Sequence, residues 1–492
     1  MVRQGSGIIL LFAVYLWIQG SISIGARPLT VNSVRETGRS FFVRSLNPEE
    51  AIERALRKNA DLRLLLFERD LQQEKIKVAY RKFLPSLEAG YTQNDSVTYS
   101  AVDSHAKKIS LGISQLLFDG GKLSRTLKNM KEEFELSSFY LKRKREEIIF
   151  SVITLYMEIL KLTIQSKIEQ DSLNLALEQR MIAREERQLG LITAIELLEI
   201  ELAIKDLELQ SEKTLQEKSL LSQRLAWLVD LPLTDLPQLK GEIDRHYSGF
   251  LDKVIPPKEI TPDFFIHQAL KYNRDLLIKR YNLLAEKENL KHLQFSWLPY
   301  ITADLSIGIS GDEFPLSKPG FNIGIKFDFE LPLFPSTIKT SAGKSGDSER
   351  SRGFSISGEP GSNTEGVFTR KEAQIEVSKL VEEIQKMEKN IEFTVYEQLL
   401  KLKNKKTQLD LLRDKLRLIE ERESVEALRL KLGEIKRVDY LSTRMGVARQ
   451  RIEILEAVAT LYTLETTLLK TTGAYDLSHT WKYIILSDGD YP

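Results

Sequence analysis

The chain has 492 residues, no cysteine, a formal net charge of +1, 29% charged and 42% hydrophobic residues. Without cysteine there are no disulfides, no Cys-ligated zinc, no iron–sulfur cluster, no thiol catalysis and no lipid anchor on an N-terminal cysteine, and near-neutral charge argues against a nucleic-acid partner held by bulk electrostatics. The length allows about two to four ordinary domains, and the wealth of Leu, Glu, Lys, Arg and Gln is that of long helices.

The N-terminus reads as an address. Arg3 gives a short positive segment, Ile8 to Ile18 form an unbroken apolar run of 11, and small residues follow at Gly20, Ser21, Ser23, Gly25 and Ala26. This is the three-part pattern of a secretory signal over residues 1–26, followed by a tail at 27–45; a short membrane anchor is the alternative, for which the run is too short to span a bilayer comfortably. No other apolar run approaches the roughly 18 residues of a membrane helix, so an exported chain that enters a membrane must do so as β-strands.

The chain repeats itself. AIERALRKNADLRLLLFERDLQQEKIKVAYRKFLPSLEA from Ala51 aligns without a gap on FIHQALKYNRDLLIKRYNLLAEKENLKHLQFSWLPYITA from Phe265, an offset of 214. Ala55, Asn59, Asp61 and Pro85 fall on Ala269, Asn273, Asp275 and Pro299. LGLITAIELLEIE from Leu189 and LGEIKRVDYLSTR from Leu432 correspond at an offset of 243. A Gly/Ser-rich stretch at 336–366 accounts for most of the difference; with only Ile338, Phe354 and Ile356 to bury, it reads as a disordered insert. The repeats span 46–230 and 261–475, joined by a Pro-rich linker at 231–260 and followed by a C-terminal tail at 476–492.

Each repeat has the same order. A helix of about 38 residues opens at Asn47-Pro48 or Thr261-Pro262 and stops at Pro85 or Pro299, because proline suits the first helical turn and ends a helix ahead of it. Two strands follow. A long charged, Leu-rich helix then runs to Gly190 or Gly433, each on the order of 100 Å at 1.5 Å per residue, and a last helix returns towards Pro232 or Gly473. The helices taken alone are also those of ordinary coiled coils.

Ile301, Ala303, Leu305, Ile307 and Ile309 alternate with Thr302, Asp304, Ser306 and Gly308; Phe321, Ile323, Ile325, Phe327, Phe329 and Leu331 alternate with Asn322, Gly324, Lys326, Asp328 and Glu330. In the first repeat Leu87, Ala89 and Tyr91, and then Ile109, Leu111 and Ile113, do the same. Period two over about ten residues is the pattern of a membrane-barrel strand, apolar to lipid and polar to lumen. Tyr91, Phe118, Trp297, Tyr300, Phe314 and Phe334 fall near the strand ends, where an aromatic girdle lies. A half-buried sheet in a soluble protein alternates likewise, but the export signal, the missing apolar helices and the repeat favour the barrel. Four strands from one chain cannot close one, since the smallest membrane barrels have about eight, so strands must be pooled between copies.

Catalytic chemistry is missing from the pattern. None of His105, His246, His267, His292 and His479 pair at helical spacing, and HExxH, the P-loop and a dinucleotide-binding glycine motif are absent. No catalytic residue, metal ligand or cofactor is expected. Gly120-Gly121 reads as a strand-to-helix turn, and Lys142-Arg143-Lys144-Arg145 as a solvated helix face answered by Glu146 and Glu147.

Over about 46–475 the sequence resembles the TolC family of outer-membrane efflux proteins. The likeness rests on AIERALRKNADL with FLPSLEAGY, ISLGISQLLFDGG and RQLGLITAIELL, then on FIHQALKYNRDL with WLPYITADL, FNIGIKFDFELPLF and LRLKLGEIKRVDYL, in that order. The resemblance implies a mainly α fold with a membrane β-barrel contribution: a homotrimer whose four strands per chain make a shared 12-stranded barrel in outer-membrane lipid, above long antiparallel helical hairpins forming an α-barrel in the periplasm. It implies a passive exit duct of a tripartite efflux pump or type I secretion system, served by an inner-membrane transporter through a periplasmic adaptor, with no nucleic acid involved. A periplasmic coiled-coil adaptor or scaffold is the competing reading; it needs only one helical hairpin and no lipid-facing strands.

The two glycine turns lie farthest from the strands, and the resemblance makes them the adaptor-docking tips, with Leu189, Gly190, Leu191 and Ile192 on one and Leu432, Gly433, Glu434 and Ile435 on the other. It also implies inward aspartates six and nine residues after the second turn glycine. Asp439 matches the first and Ser442 stands at the second, while Glu196 is the counterpart in the first repeat. The family's linking Arg and Tyr are replaced by Ile435 and Leu430, which implies a closed state held differently or more loosely. An acidic ring of Asp439 around a pore and a solvated aspartate at a helix start both fit the sequence.

Overall fold

Hydrogen-bonding side chains and prolines set the helix boundaries. The computed structural model describes residues 45–96, 104–232, 238–256, 260–293, 295, 297–331, 334–344, 350–361 and 366–486, so the expected signal at 1–26 lies outside the described residues. Helix α1 (Pro48–Lys58) and α2 (Ala60–Arg81) take the place of the single 38-residue helix expected. Asn59 breaks it: its backbone is extended, and its side chain accepts from the Leu62 N–H at 2.9 Å. The equivalent helix is cut at Asn273 in the same way, into α5 (Pro262–Tyr272) and α6 (Arg274–Leu293), with Asn273 accepting from Leu276 at 3.1 Å. An asparagine N-cap satisfies a donor that the helix start orphans, so restarting the helix costs little.

The long helices are α3 (Lys122–Gln188, 67 residues) and α7 (Gly366–Lys431, 66 residues), returned by α4 (Ala194–Leu228) and α8 (Arg437–Thr472). Packing sets their lateral order. In the half nearer the tips α4, α3, α8 and α7 lie side by side; nearer the strands α2 replaces α4 and α6 replaces α8. The basic run at 142–145 is more than a solvated face. Arg143 bridges Asp275 at 2.8 Å and Lys144 bridges Asp61 at 2.8 Å, so α3 ties down the first turns of both α2 and α6.

The linker is packed rather than strung out. Gln238–Leu239 pairs in parallel with Ser45–Leu46, and Glu242–Ile243 pairs with Ile485–Leu486 from the C-terminal tail. Phe250 stacks on Tyr483 with ring centroids 5.2 Å apart and packs against Tyr462 at 5.7 Å. Buried Glu465 of α8 accepts from the Tyr247 hydroxyl and from the Phe250 N–H at 2.9 Å. Burial pushes the Glu465 carboxyl and the Tyr247 hydroxyl up. Gly249 is required beside them, because its φ is +119° and a Cβ there would lie 2.6 Å from Glu465 Oε1.

One antiparallel sheet carries the strands. β1 (Ser86–Ser96), β2 (Ser104–Phe118), β3 (Tyr300–Gly311) and β4 (Lys318–Phe329) are the four expected. Two more, β5 (Ser336–Lys344) and β6 (Arg350–Gly358), extend it, and the order is β1-β2-β3-β4-β5-β6. This corrects both the count of four strands and the disordered insert at 336–366. The segment is too polar to bury a core, but it alternates: Ile338, Thr340 and Ala342 on one face, Thr337, Lys339 and Ser341 on the other. Nine backbone pairs along β4, from Phe321↔Lys344 to Phe329↔Ser336, hold it in place.

The register aligns one apolar face across the sheet. One row runs Leu87, Ile113, Leu305, Ile323, Ala342; another runs Phe118, Ile301, Phe327, Ile338, Ile356. The opposite face is polar, with Ser114 donating to Asp304 at 2.6 Å and Thr337 to Asp328 at 2.7 Å. Tyr91 and Phe314 stack at the end remote from the helices, with centroids 6.4 Å apart. Reconstitution into lipid, with unfolding followed by denaturant, reads which face meets hydrocarbon. Ile307→Arg should cost about 2–4 kcal/mol and the adjacent Ser306→Arg little; equal costs would contradict the assignment.

Candidate functional site

The tips farthest from the strands are built alike. After α3, Gly190 takes φ +76°, its N–H donates to Arg187 O at 3.0 Å and the Leu191 N–H to Glu186 O at 2.8 Å. After α7, Gly433 takes φ +76°, with its N–H on Leu430 O at 3.0 Å and Glu434 on Arg429 O at 2.9 Å. This left-handed helix stop is open to glycine at little cost, and it satisfies the last carbonyls. The sequence placed both turns correctly.

The next helices start differently. Thr193 caps α4 in a reciprocal box: Glu196 N–H reaches Thr193 Oγ1 at 3.3 Å, and Thr193 N–H reaches Glu196 Oε2 at 2.8 Å. Lys436 stands at the start of α8 and makes no such cap; its ammonium reaches across to Glu196 Oε1 at 2.8 Å. Arg437 grips Glu186 of α3 with two hydrogen bonds, 2.7 and 2.5 Å, and Gln179 with a third at 3.0 Å. Two ion pairs therefore tie the hairpins of one chain together beneath their turns. Ala176, Ala183, Ile200, Ile204 and Leu441 form the apolar core behind them.

Charge follows geometry. The Lys436 ammonium, then the Thr193 N–H, hold the Glu196 carboxyl down to about 2, and Glu196 in turn pushes Lys436 up. Arg437 holds Glu186 below the usual carboxylate range. Glu196 is thus a cap and a strut. Asp439 lies exposed in the first turn of α8, and Lys436 feels its charge.

The docking candidates divide. Leu189, Leu191 and Leu432 are 75%, 70% and 74% exposed, a large apolar excess for two turns in water. Ile192 and Ile435 are only partly exposed, and Ile192 packs onto the core beneath. A cavity of about 480 Å³ opens between the tips beside Glu196, Gly433 and Lys436. Sequence reasoning missed Glu186, Lys436 and Arg437. Ile435 and Leu430 stand where the resemblance implies a linking Arg and Tyr, and Arg437, two residues beyond Ile435, reaches Glu186 of the other hairpin. Among the described residues no cluster of three or more His, Asp or Glu is placed to hold a metal.

Residues 51–226 match the sequence profile described as outer membrane efflux protein. Over that stretch the chain is similar to that family. No curated protein matches it by sequence. Solved structures share the fold of this chain at low identity. CusC, whose structures are described in terms of folding and transmembrane channel formation, gives a TM-score of 0.69 at 14% identity, covering 87% of this chain and 92% of that one. The CmeC outer membrane channel of Campylobacter jejuni gives 0.66 at 14%, covering 88% of each. The open MtrE outer membrane channel of Neisseria gonorrhoeae gives 0.63 at 16%, covering 87% and 88%.

The tip pairs set a pH window. A lowered carboxylate contributes above its unfolded value near 4.5 and is lost as pH falls towards about 2; the raised lysine contributes below 10.5 and is lost above it. Spin labels at Leu189→Cys and Leu432→Cys should therefore keep one distance from about pH 8 to about pH 5, and Lys436→Met should broaden it throughout. Widening on acidification to about pH 5 would contradict the assignment.

Proposed function

We propose that the chain is the outer-membrane exit duct of a tripartite efflux pump or type I secretion system, assembled as a trimer. An inner-membrane transporter supplies energy, a periplasmic adaptor docks on the helical tips, and the duct itself conducts passively. The family match supports the outer membrane and the transport role. The competing adaptor reading needs one hairpin and no lipid-facing strands, whereas this chain has two hairpins and a six-stranded sheet with one apolar face.

The observation that carries the reading is a layer with two open margins. On one margin Leu64, Leu71 and Val78 of α2, then Ile195, Leu202 and Leu209 of α4, stand exposed at seven-residue spacing. On the other, α7 exposes Phe393 and Leu400, then Leu411, Leu418 and Val425, at the same spacing. Seven-residue apolar seams are what packed helices need, and among the described residues neither has a neighbour. Further copies of the chain, margin to margin, cover both and bend the layer into a closed tube.

In three copies Asp439 recurs around the inner end of that tube, where like charges attract cations. The protein should fractionate with the outer membrane as a detergent-requiring, heat-modifiable oligomer and conduct in a planar bilayer. Asp439→Asn should weaken cation selectivity and block by multivalent cations. Unchanged selectivity and block would remove Asp439 from the gate, and a water-soluble, non-conducting chain would remove the duct.

A further inference from the structure

We propose that β6 is the seam between copies of this chain: its free edge pairs antiparallel with β1 of the next copy, so each copy contributes six strands to the barrel instead of four. The inference rests on the reading of the chain as a membrane channel and adds where that channel closes.

The edge that a four-strand contribution would use is already taken. β4 is hydrogen-bonded along nine residue pairs to β5, and β5 along nine pairs to β6, from Ser336↔Gly358 to Lys344↔Arg350. The sheet therefore ends at β1 and β6. Neither end can face hydrocarbon with its backbone groups unpaired. Self-closure is excluded by size, since six strands fall short of the roughly eight in the smallest membrane barrels.

Direction, length, face and connectivity all suit the seam. β1 runs away from the helices and the strands alternate, so β6 runs back towards them and meets the next β1 antiparallel. β5 and β6 have nine residues each, enough to cross the hydrocarbon when tilted. Ile338, Phe354 and Ile356 continue the apolar face, while Ser351, Ser355 and Ser357 continue the polar one. On the apolar face, towards the end away from the helices, stand Lys344 and Arg350, level with Phe321, and Arg352, level with Ile323. Cations at that height match the headgroup layer, where long basic side chains reach water and anionic groups. Finally, β6 leads into α7, one open margin of the helix layer, and β1 follows α2, the other. The seam that closes the strands thus lies above the seam that closes the helices.

Three copies would close eighteen strands. Barrel diameter grows roughly linearly with strand number, so this barrel would be about half again as wide as a twelve-stranded one.

The chain has no cysteine, so introduced thiols are the only ones present. Ser355→Cys on the polar face of β6 is combined in turn with Glu88→Cys, Gly90→Cys or Thr92→Cys on the polar face of β1. A comparison set combines Lys326→Cys on β4 with the same three. Membranes are oxidised and run on denaturing gels with and without reductant. The proposal expects reducible cross-linked dimers and higher species from at least one Ser355 pair and none from the Lys326 pairs. Cross-links through Lys326, or an intact membrane oligomer with none through Ser355, would overturn the seam alone. A monomer outside the membrane would overturn the channel reading and the seam with it.

Discussion

An unpaired backbone donor or acceptor cannot be left in hydrocarbon, and this chain carries a sheet with two unpaired edges and an apolar face. Every larger feature answers to that constraint. Pairing fixes the register of β1 to β6, and the register lines up rows such as Leu87, Ile113, Leu305 and Ile323 on one face. A slip of one residue at any strand would turn its apolar side chains to the polar face. The sheet is therefore strongly specified within a chain, and among the described residues it ends at the edges of β1 and β6.

The helix layer repeats the situation in a different currency of interaction. Its interior is closed by buried residues such as Tyr156, Ile200, Leu409 and Val458, while its margins expose apolar side chains at the spacing helices use to pack. Where the layer is thickest, the linker and C-terminal tail wrap it and Glu465 takes the Tyr247 and Phe250 donors. At the far end, packing gives way to charge: Lys436–Glu196 and Arg437–Glu186 join the hairpins. Ion pairs of partly exposed groups are weaker than core packing and depend on salt and pH.

Much of this was legible in the sequence because its cues are local. Proline at 48, 85, 262 and 299 and glycine at 190 and 433 mark helix ends through backbone geometry alone, and period-two runs mark β1 to β4. The breaks at Asn59 and Asn273 were visible as aligned residues, but an isolated asparagine is tolerated inside a helix often enough that its capping role showed only with Leu62 and Leu276 in place. The hairpin of β5 and β6 was missed for a different reason. Its strands are set by hydrogen bonds to β4, and composition registers side chains, not backbone pairing. The links at the tips were out of reach because they join Glu186 to Arg437, residues 251 apart, through packing that the repeat alone does not specify.

The central claim is that one chain is an open segment of a tube that copies of itself complete. The mass of the particle extracted from membranes in mild detergent tests it most directly. The account predicts a single species of three chains that falls to one chain on heating in denaturant. A stable, monodisperse monomer that still inserts in lipid would contradict it.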